Sequence, residues 1–465
     1  MENAREIVLD VLLSLEKEED LSHRLLRNVL NKYDHLDARD KGFIKRVTEG
    51  VMERRMELDY YLDQYSKLPV RKMKPLIRNL LRMSTYQILY MDAVPDSAAC
   101  NEACKLADKR KFHQLKGFVN GILRRIAADK ENLTLPDPQK DLKKWLCVKY
   151  SMPELITEEW LSEYGPELTE RILKGLLEIR PVSLRISEKL SKDEVCALKK
   201  RLAESGKGMS QSPYDERGFL ATELEGAESL EDFREGNLTV QDSSCVLAVK
   251  AAGIKEADLV IDACAAPGGK SILAAELTGP KGKVFCGDIS EKKLSLICEN
   301  ISRMHQENME VELWDARQLN NAHDGQADVL LLDVPCSGLG VIGKKRDIKY
   351  HASAEGYSEL EALQKEILRG AWQCVKPGGI LLYSTCTIRE AENRGMVRWI
   401  LENLPFEPVS LADSLPESIR EGILLEKRER KEEAFAFEDC CVQILPGILD
   451  MDGFFFAKLR RKTDA

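Results

Sequence analysis

Two cysteines in the C-terminal half of the chain each follow a short apolar run that is typical of a buried β-strand. Cys336 comes three residues after Asp333, which ends the run VLLLD, and Cys386 lies in the sequence YSTCT after the run 380–383. Because parallel strands end at the same edge of a sheet, loops that follow neighbouring strands meet at one cleft. A thiolate in such a cleft can act as a nucleophile in covalent catalysis. The pattern therefore predicts a reactive site with two thiols and the Asp333 carboxylate beside them.

The other eleven cysteines are interpreted as core residues, because a single cysteine is most often a small buried hydrophobic residue. The thirteen cysteines are odd in number and contain no CxxC pair, so they indicate neither a disulfide framework nor a zinc ribbon. Cys100 and Cys104 share a predicted helix face but have no further ligands nearby in sequence. No metal is expected, and Cys440 and Cys441 are left without a role.

A glycine-containing turn, DACAAPGGK at 262–270, follows another apolar run and precedes the apolar-periodic segment 271–277. A strand, a turn and a helix in this order bring backbone N–H groups close to a ligand. Gly268 and Gly269 allow a close approach because they lack a Cβ atom. The sequence matches neither GxGxxG nor GxxxxGK[ST], which argues against a dinucleotide fingerprint and against a nucleoside-triphosphate loop.

Aspartates follow three further predicted strands. Asp288, Asp315 and Asp333 come at successive strand ends, and strand ends on one edge of such a sheet form the ligand crevice. Each aspartate taken alone is more often a cap or turn residue. Three of them in register after a glycine turn favour a ligand site, with the first placed to accept hydrogen bonds from ribose hydroxyls.

The elements that would hold these residues divide the chain into three predicted parts, because 465 residues exceed one ordinary core. Residues 1–130 have helical periodicity, residues 144–240 mix helices with short strands, and residues 241–465 alternate apolar runs with amphipathic helices, as parallel sheets do. A polar, proline-containing linker is predicted at 132–143. The predicted strands of the last part are 259–263, 283–286, 311–314, 328–333 and 380–383, with a strand-rich end at 420–461.

The net charge of −9 is unevenly distributed. Residues 1–130 hold 25 Lys and Arg against 20 Asp and Glu, a local charge of +5, which leaves −14 for the remainder. A local basic surface is what phosphate binding needs. Between Asp63 and Asp92 there is no acid, and a solvated helix face balanced from elsewhere in the fold is an equal alternative. The bases of this run are Lys67, Arg71, Lys72, Lys74, Arg78 and Arg82.

The start of the chain carries charges inside its apolar run and lacks a small-residue cleavage site, so no signal peptide is predicted. No apolar stretch is long enough to span a bilayer. A reducing, cytoplasmic location and a monomer are expected.

The motifs DACAAPGGK, DVPCSGLG and YSTCT, in this order and spacing, resemble those of RNA cytosine-5 methyltransferases, the NOL1/NOP2/Sun family. The segment NGILRR at 120–125 and its helical surroundings resemble the NusB-type RNA-binding domain that is fused to one branch of that family. The resemblance covers nearly the whole chain. It implies an all-α NusB-like bundle, a small α+β middle domain and a C-terminal α/β class I, Rossmann-like domain that uses S-adenosylmethionine.

The resemblance also implies roles for individual residues. Cys386 would be the nucleophile that attacks carbon 6 of cytosine, Cys336 would assist breakdown of the adduct, and Asp333 would hold the base near N3 and contact the methyl donor. A donor at N3 would require the pKa of Asp333 to be raised. Asp288 would bind the ribose and Asp315 the adenine. The methionine end would be held by Cys264, Ala265, Ala266, Pro267, Gly268, Gly269 and Lys270.

The expected substrate is an unstacked or flipped cytosine in 16S ribosomal RNA, of the position-967 type by resemblance. Residues 344–346, two lysines and an arginine, are candidates to hold flanking phosphates, although related sequences often carry Arg-Arg-His-Pro there. Transfer RNA is the nearest alternative substrate, and the helical N-terminal domain disfavours it only by analogy. DNA methylation would make Cys336 the nucleophile. A catalytically inactive RNA-binding assembly or antitermination factor is disfavoured by the intact cysteine pair.

Overall fold

The computed structural model describes residues 3–16, 22–33, 35–224, 226–420 and 438–463. They form two compact units. One unit extends to Leu177 and includes Ile342–Ala352, and the other comprises Glu178–Val341 together with the residues from Ser353 onward. The predicted three-part division at 130, 144 and 240 stays a prediction, and the chain between 133 and 141 contains no helix or strand, as a linker would.

The first unit is helical, which confirms the periodicity read over the first 130 residues. Ile7, Val8, Val11 and Leu12 are buried in its core, as their spacing predicts. Pro75 is the first residue of its helix, a position where the missing N–H has no cost. The helices are α1 Ala4–Leu15, α2 Ser22–Lys32, α3 Ala38–Glu53, α4 Arg55–Tyr65, α5 Pro75–Tyr90, α6 Asp96–Lys109, α7 Lys116–Asp129, α8 Leu142–Lys149 and α9 Glu154–Leu177, the last kinked at Gly165.

The basic run in this unit is partly neutralised by acids from other helices. Arg78 lies 2.6 Å from Glu16, and Arg82 pairs with both Glu16 and Asp59, at 3.1 and 2.7 Å. For these two arginines the alternative interpretation holds, in which the positive charge of the helix face is balanced by acids from elsewhere in the fold. The other four bases, Lys67, Arg71, Lys72 and Lys74, are exposed.

The segment Ile342–Ala352 packs within the helical unit. Lys349 is buried, and its Nζ donates a 2.8 Å hydrogen bond to the Glu53 carbonyl. Burial lowers the pKa of Lys349 to about 7. The guanidinium of Arg55 lies 3.6 Å from the centre of the Tyr350 ring. Arg346, one of the proposed phosphate contacts, is 3.2 Å from Glu49, so an acid already partners that base.

The second unit begins with a small antiparallel sheet and its helices, in the strand order β2-β3-β1-β4. A buried ion pair joins this sheet to the rest of the unit, because Arg185 of the first strand contacts Glu276. Arg185 also donates to Gln241, which in turn donates to the Gly269 carbonyl. The elements are β1 Val182–Ile186, α10 Lys192–Glu204, β2 Met209–Gln211, β3 Gly218–Ala221, α11 Glu231–Arg234 and β4 Leu238–Val240.

A larger, mostly parallel sheet follows, in the order β10-β12-β9-β8-β5-β6-β7, with β11 paired to β12. Its strands are β5 Leu259–Asp262, β6 Lys283–Asp288, β7 Met309–Leu313, β8 Ala327–Asp333, β9 Val375–Thr385, β10 Phe406–Pro408, β11 Cys441–Ile444 and β12 Phe454–Arg461. Its helices are α12 Ser243–Ala252, α13 Gly269–Thr278, α14 Glu291–Arg303, α15 Ala354–Ala371 and α16 Arg394–Asn403.

This sheet confirms the five predicted parallel strands, each within a few residues of its expected bounds. The central strands β5 and β8 are mostly apolar and buried, as strands covered by helices are, whereas the edge strand β7 carries Glu310 and Glu312. The last two strands confirm the strand-rich end from 441 onward, and residues 421–437 of that prediction lie outside the described residues. Within the described part of the chain, no helix has the length and apolar character to cross a membrane.

Candidate active site

The two cysteines lie side by side because their strands are neighbours. β8 and β9 run parallel with Asp333 opposite Ser384, so the loops that follow them leave the sheet together. The Sγ atoms of Cys336 and Cys386 are 3.4 Å apart. Hydrogen bonding to Cys386, together with burial, raises the pKa of Cys336 well above its usual range. Cys336 is therefore a neutral thiol at neutral pH.

A lysine holds the carboxylate that lies beside the thiols. Lys270 Nζ is 2.7 Å from Asp333 Oδ2, and Ser384 Oγ donates a 2.8 Å hydrogen bond to Oδ1. Burial disfavours the charge of Lys270, but the Asp333 carboxylate outweighs it and raises the pKa of the lysine. Both Asp333 oxygens thus accept hydrogen bonds. Lys270 is therefore a proton-bearing group in contact with Asp333, and the expectation that Asp333 donates near N3 of a base stays a prediction.

The loop 262–270 has the predicted strand, turn and helix geometry. β5 ends at Asp262, and α13 begins after Gly268, whose φ of 101° is accessible to glycine without strain. Ser271 Oγ donates a 2.6 Å hydrogen bond to Asp262 Oδ2, and burial raises the pKa of Asp262 to about 6. The loop is therefore anchored to the helix that follows it.

A cavity of about 420 Å³ opens beside this loop and reaches both thiols. The predicted residues that line it are Cys264, Ala266, Asp288, Asp315, Asp333, Cys336 and Cys386. The remaining predicted cofactor residues form the turn and the helix start without lining the cavity, namely Ala265, Pro267, Gly268, Gly269 and Lys270. Lys270 acts on the cavity through its contact with Asp333. No group of His, Cys, Asp and Glu that could hold a metal ion occurs among the residues the structure describes.

The two other strand-end acids differ in their environment. Asp288 is buried, and its Oδ1 accepts no hydrogen bond within the described structure, although Lys293 Nζ lies 3.2 Å away. A buried acceptor without a donor is unfavourable, so this oxygen suits the hydroxyl group of a ligand. Asp315 instead pairs with Arg317 at 2.7 Å, and that hydrogen bond holds its pKa below the usual range.

The apolar walls of the cavity were missed by the sequence analysis. Ile289 and Trp314 stand next to the strand-end acids and line the cavity. A signal for them existed, because a residue adjacent to a strand-end acid shares its edge of the sheet. Leu363 and Ile367 come from α15, and no motif in that helix distinguishes its cavity-facing side.

Gly340, in the loop after Cys336, packs tightly against backbone. A Cβ atom there would lie 2.1 Å from the Gly453 carbonyl oxygen and 2.8 Å from that of Cys386. These backbones are hydrogen-bonded to Gly340 and cannot yield freely. We expect Gly340→Ala to lower the free energy of unfolding by about 1–3 kcal/mol, measured by thermal or denaturant unfolding.

The matched control for this change is Gly42→Ala in α3, where nothing lies within 4 Å of an added Cβ atom. A helix-interior alanine there should stabilise the protein by about 0.5–1 kcal/mol. Equal unfolding free energies for Gly340→Ala and the unmodified protein would contradict the tight packing of this loop.

The fold and the cleft together define a class of protein. A parallel sheet covered by helices, with a glycine turn after its first strand and carboxylates at successive strand ends, is a Rossmann-like α/β domain with a ligand crevice at that edge of the sheet. It follows a helical unit and a small α+β sheet in the same chain. The predicted fold class is confirmed.

Family models match both ends of this arrangement. The 16S rRNA methyltransferase RsmB/F model matches residues 250–460, and the NusB family model matches residues 2–128. The probable ribosomal RNA small subunit methyltransferase B of Bacillus subtilis (strain 168) is 34% identical over 99% of both chains. The ribosomal RNA small subunit methyltransferase B of Klebsiella pneumoniae subsp. pneumoniae is 31% identical, with 94% of both chains covered. The chain belongs to the RsmB/F family of 16S rRNA methyltransferases and carries an N-terminal NusB domain.

Solved structures share the architecture. The crystal structure of PH0851 has a TM-score of 0.78 at 24% identity and covers 99% of both chains. A methyltransferase homolog protein from Pyrococcus horikoshii has a TM-score of 0.56 at 25% identity, covering 69% of this chain and 99% of that one. The fold of the whole chain is thus shared with PH0851.

Proposed function

We propose that this protein transfers a methyl group from S-adenosylmethionine to carbon 5 of a cytosine in 16S ribosomal RNA, of the position-967 type, through a covalent adduct on Cys386. The observation that carries this proposal is the thiol pair, with Sγ atoms 3.4 Å apart in a cavity that also contains the Asp333 carboxylate. One thiol suffices for addition to a base. A second thiol in contact with the first supports a mechanism in which the adduct must also be released.

The lining of the cavity fits S-adenosylmethionine. The buried Oδ1 of Asp288 lacks a donor that a ribose hydroxyl would provide, and Asp315 can accept a hydrogen bond from the adenine amine. Trp314 and Ile289 offer apolar surface for the adenine ring, and residues 264–270 would hold the methionine end. When bound, the cofactor supplies an electrophilic methyl group.

The protein's own groups make carbon 5 reactive. Carbon 5 of cytosine is a poor nucleophile until the Cys386 thiolate adds to carbon 6, which places an electron pair on carbon 5. After carbon 5 has gained the methyl group, it loses its proton to solvent, the bond between carbon 6 and sulfur breaks, and the ring and the thiolate are restored. The Cys336 thiol, protonated and in contact with the Cys386 sulfur, donates a hydrogen bond to that sulfur as it leaves and so stabilises the departing thiolate.

The Lys270–Asp333 pair supplies the electrostatic part of the mechanism. Addition at carbon 6 develops negative charge on the pyrimidine, and the positive charge of Lys270, which lies outside the cavity lining and 2.7 Å from Asp333, offsets part of it. The Asp333 carboxylate is suited to accept a hydrogen bond from the exocyclic amine of cytosine.

The substrate class rests on the helical unit and on the family. Both faces of a stacked base are covered, so thiol addition needs an unstacked or flipped nucleotide. The exposed bases Lys67, Arg71, Lys72 and Lys74 can contact phosphates. Transfer RNA is kept as the second candidate substrate, because the catalytic cleft by itself does not select the RNA.

The test is methyl transfer in vitro. The protein, labelled S-adenosylmethionine and unmodified 16S ribosomal RNA are expected to give 5-methylcytosine at a single position, mapped by bisulfite sequencing. Unmodified transfer RNA is the parallel substrate. Transfer to transfer RNA alone would overturn the substrate proposal, and no transfer to either RNA would overturn the enzymatic one.

A further inference from the structure

Two consecutive residues, Glu392 and Asn393, are fully buried between the Cys386 loop and α16. Neither lines the cavity, so neither is placed to touch substrate or cofactor. Every polar atom of their side chains nevertheless has a hydrogen-bond or ion-pair partner in the loops that carry the two thiols or in the elements behind them.

Glu392 fixes the loop that carries Cys336. Its Oε2 accepts a 2.9 Å hydrogen bond from the backbone N–H of Ser337 and another of 2.9 Å from Gln364 Nε2. The same Gln364 amide donates to the Pro335 carbonyl at 3.0 Å. The peptide groups on both sides of Cys336 are therefore tied, directly or through Gln364, to one buried carboxylate.

Asn393 fixes the loop that carries Cys386 in the same manner. Its Oδ1 accepts a 2.6 Å hydrogen bond from Thr385 Oγ1, and its Nδ2 donates to the Thr387 carbonyl at 3.1 Å. Thr385 and Thr387 are the two neighbours of Cys386 in the chain. The amide also donates to Gln443 Oε1 at 2.7 Å, which ties the arrangement to β11.

Two further contacts complete the hydrogen-bond network of Glu392 and Asn393. The hydroxyl groups of Ser337 and Thr387 are 2.7 Å apart, so the two loops touch each other directly. Arg389 Nη1 lies 3.2 Å from Glu392 Oε1, which compensates the charge of a carboxylate that is completely removed from solvent. A buried ion pair of this kind contributes little net stability but is costly to break on one side, so the network resists distortion.

We propose that Glu392 and Asn393 are the positioning residues that set the separation of the two thiols, Glu392 through the Cys336 loop and Asn393 through the Cys386 loop. The catalytic consequence of this assignment rests on the function proposed above. Loss of Glu392 displaces the thiol that assists release, and loss of Asn393 displaces the nucleophile. The two variants therefore impair different halves of the reaction.

The first test measures the two halves separately. In single-turnover reactions with 16S ribosomal RNA, Glu392→Gln is expected to slow release of the methylated RNA about tenfold or more and to accumulate a covalent protein–RNA adduct, while adduct formation changes less than about threefold. Asn393→Ala is expected to slow adduct formation about tenfold or more without accumulation. These sizes correspond to one lost hydrogen bond to a charged or buried group.

The second test needs no RNA. Diamide oxidises two neighbouring thiols to a disulfide and takes up their two protons and two electrons, so the rate of Cys336–Cys386 bond formation reports how often the sulfur atoms meet. Mass spectrometry of peptides would follow it. Both variants are expected to slow closure at least about fivefold. Ser337→Ala, which removes only the hydroxyl contact with Thr387, is expected to slow closure about twofold and serves if the buried variants fold poorly.

The controls are matched in residue type, and the glutamate control also in burial. Glu57→Gln removes another buried carboxylate paired with an arginine, in the helical unit. Asn308→Ala removes another amide that makes three hydrogen bonds. Both controls should close the disulfide and release RNA at the unmodified rates. If Glu392→Gln and Asn393→Ala behave like these controls, the positioning role is wrong. If the unmodified protein methylates no RNA while closure still slows in both variants, the proposed function fails and the positioning role stands.

Discussion

Cys386→Ala is expected to abolish methyl transfer, with a rate at least about 10⁴-fold below that of the unmodified protein, as removal of a covalent nucleophile does in other enzymes. Without the thiolate, carbon 5 never receives the electron pair that attacks the methyl group. No covalent protein–RNA species should appear on denaturing gels. Labelled methyl incorporation into 16S ribosomal RNA measures the first effect and gel retention the second.

The control for this variant is Cys196→Ala, which removes an exposed cysteine of α10. It should transfer methyl groups at the unmodified rate. Cofactor binding should survive in Cys386→Ala, measured by calorimetry, because the residues proposed to hold the cofactor are untouched. Turnover by Cys386→Ala within tenfold of the unmodified rate would show that the nucleophile lies elsewhere.

Cys336→Ala is expected to give the opposite phenotype, in which the first turnover proceeds and the enzyme then stays attached to its RNA. Cys336 is protonated and 3.4 Å from the Cys386 sulfur, so its loss removes the group that assists departure of that sulfur. Acid catalysis by one side chain contributes about 10²–10⁴-fold, and release should slow by that factor. Denaturing gels with labelled RNA would detect the stable adduct.

The double variant Cys336→Ala, Cys386→Ala is the control for specificity of that adduct, since it should show none. An adduct in Cys386→Ala together with none in Cys336→Ala would exchange the two roles. That outcome would also favour a mechanism in which Cys336, the cysteine that follows Pro335, is the nucleophile, as expected for DNA methylation.

The positions of the strands and loops that form the candidate site could be predicted from the sequence because their signals are local. The apolar runs before Asp288, Asp315 and Asp333 are strands, and the turn with Gly268 leads into a helix. The proximity of Cys336 and Cys386 followed from one topological rule, that neighbouring parallel strands share an exit edge. These features depend on residues close together in the chain.

Features that depend on distant residues were not accessible in this way. The contact between Asp333 and Lys270 is one of these features, because the two residues lie 63 positions apart in the chain. Glu392 shows the same difficulty, because a charged residue next to a loop is expected in solvent until its partners Ser337 and Arg389 are known. The ion pair between Arg78 and Glu16 could not be predicted either, because it depends on the packing of α1 against α5.

The segment Ile342–Ala352 belongs to the helical unit although the chain on both sides of it belongs to the other one. During synthesis the helices up to Leu177 leave the ribosome first, and domains generally begin to fold in that order. Lys349 and Tyr350, which fill buried positions against Glu53 and Arg55, are made only after the loop with Cys336. The helical unit therefore cannot reach its final packing on the nascent chain until Cys336, the first of the two thiols in the candidate site, has been translated. Cutting the gene at a single boundary would not separate two complete units.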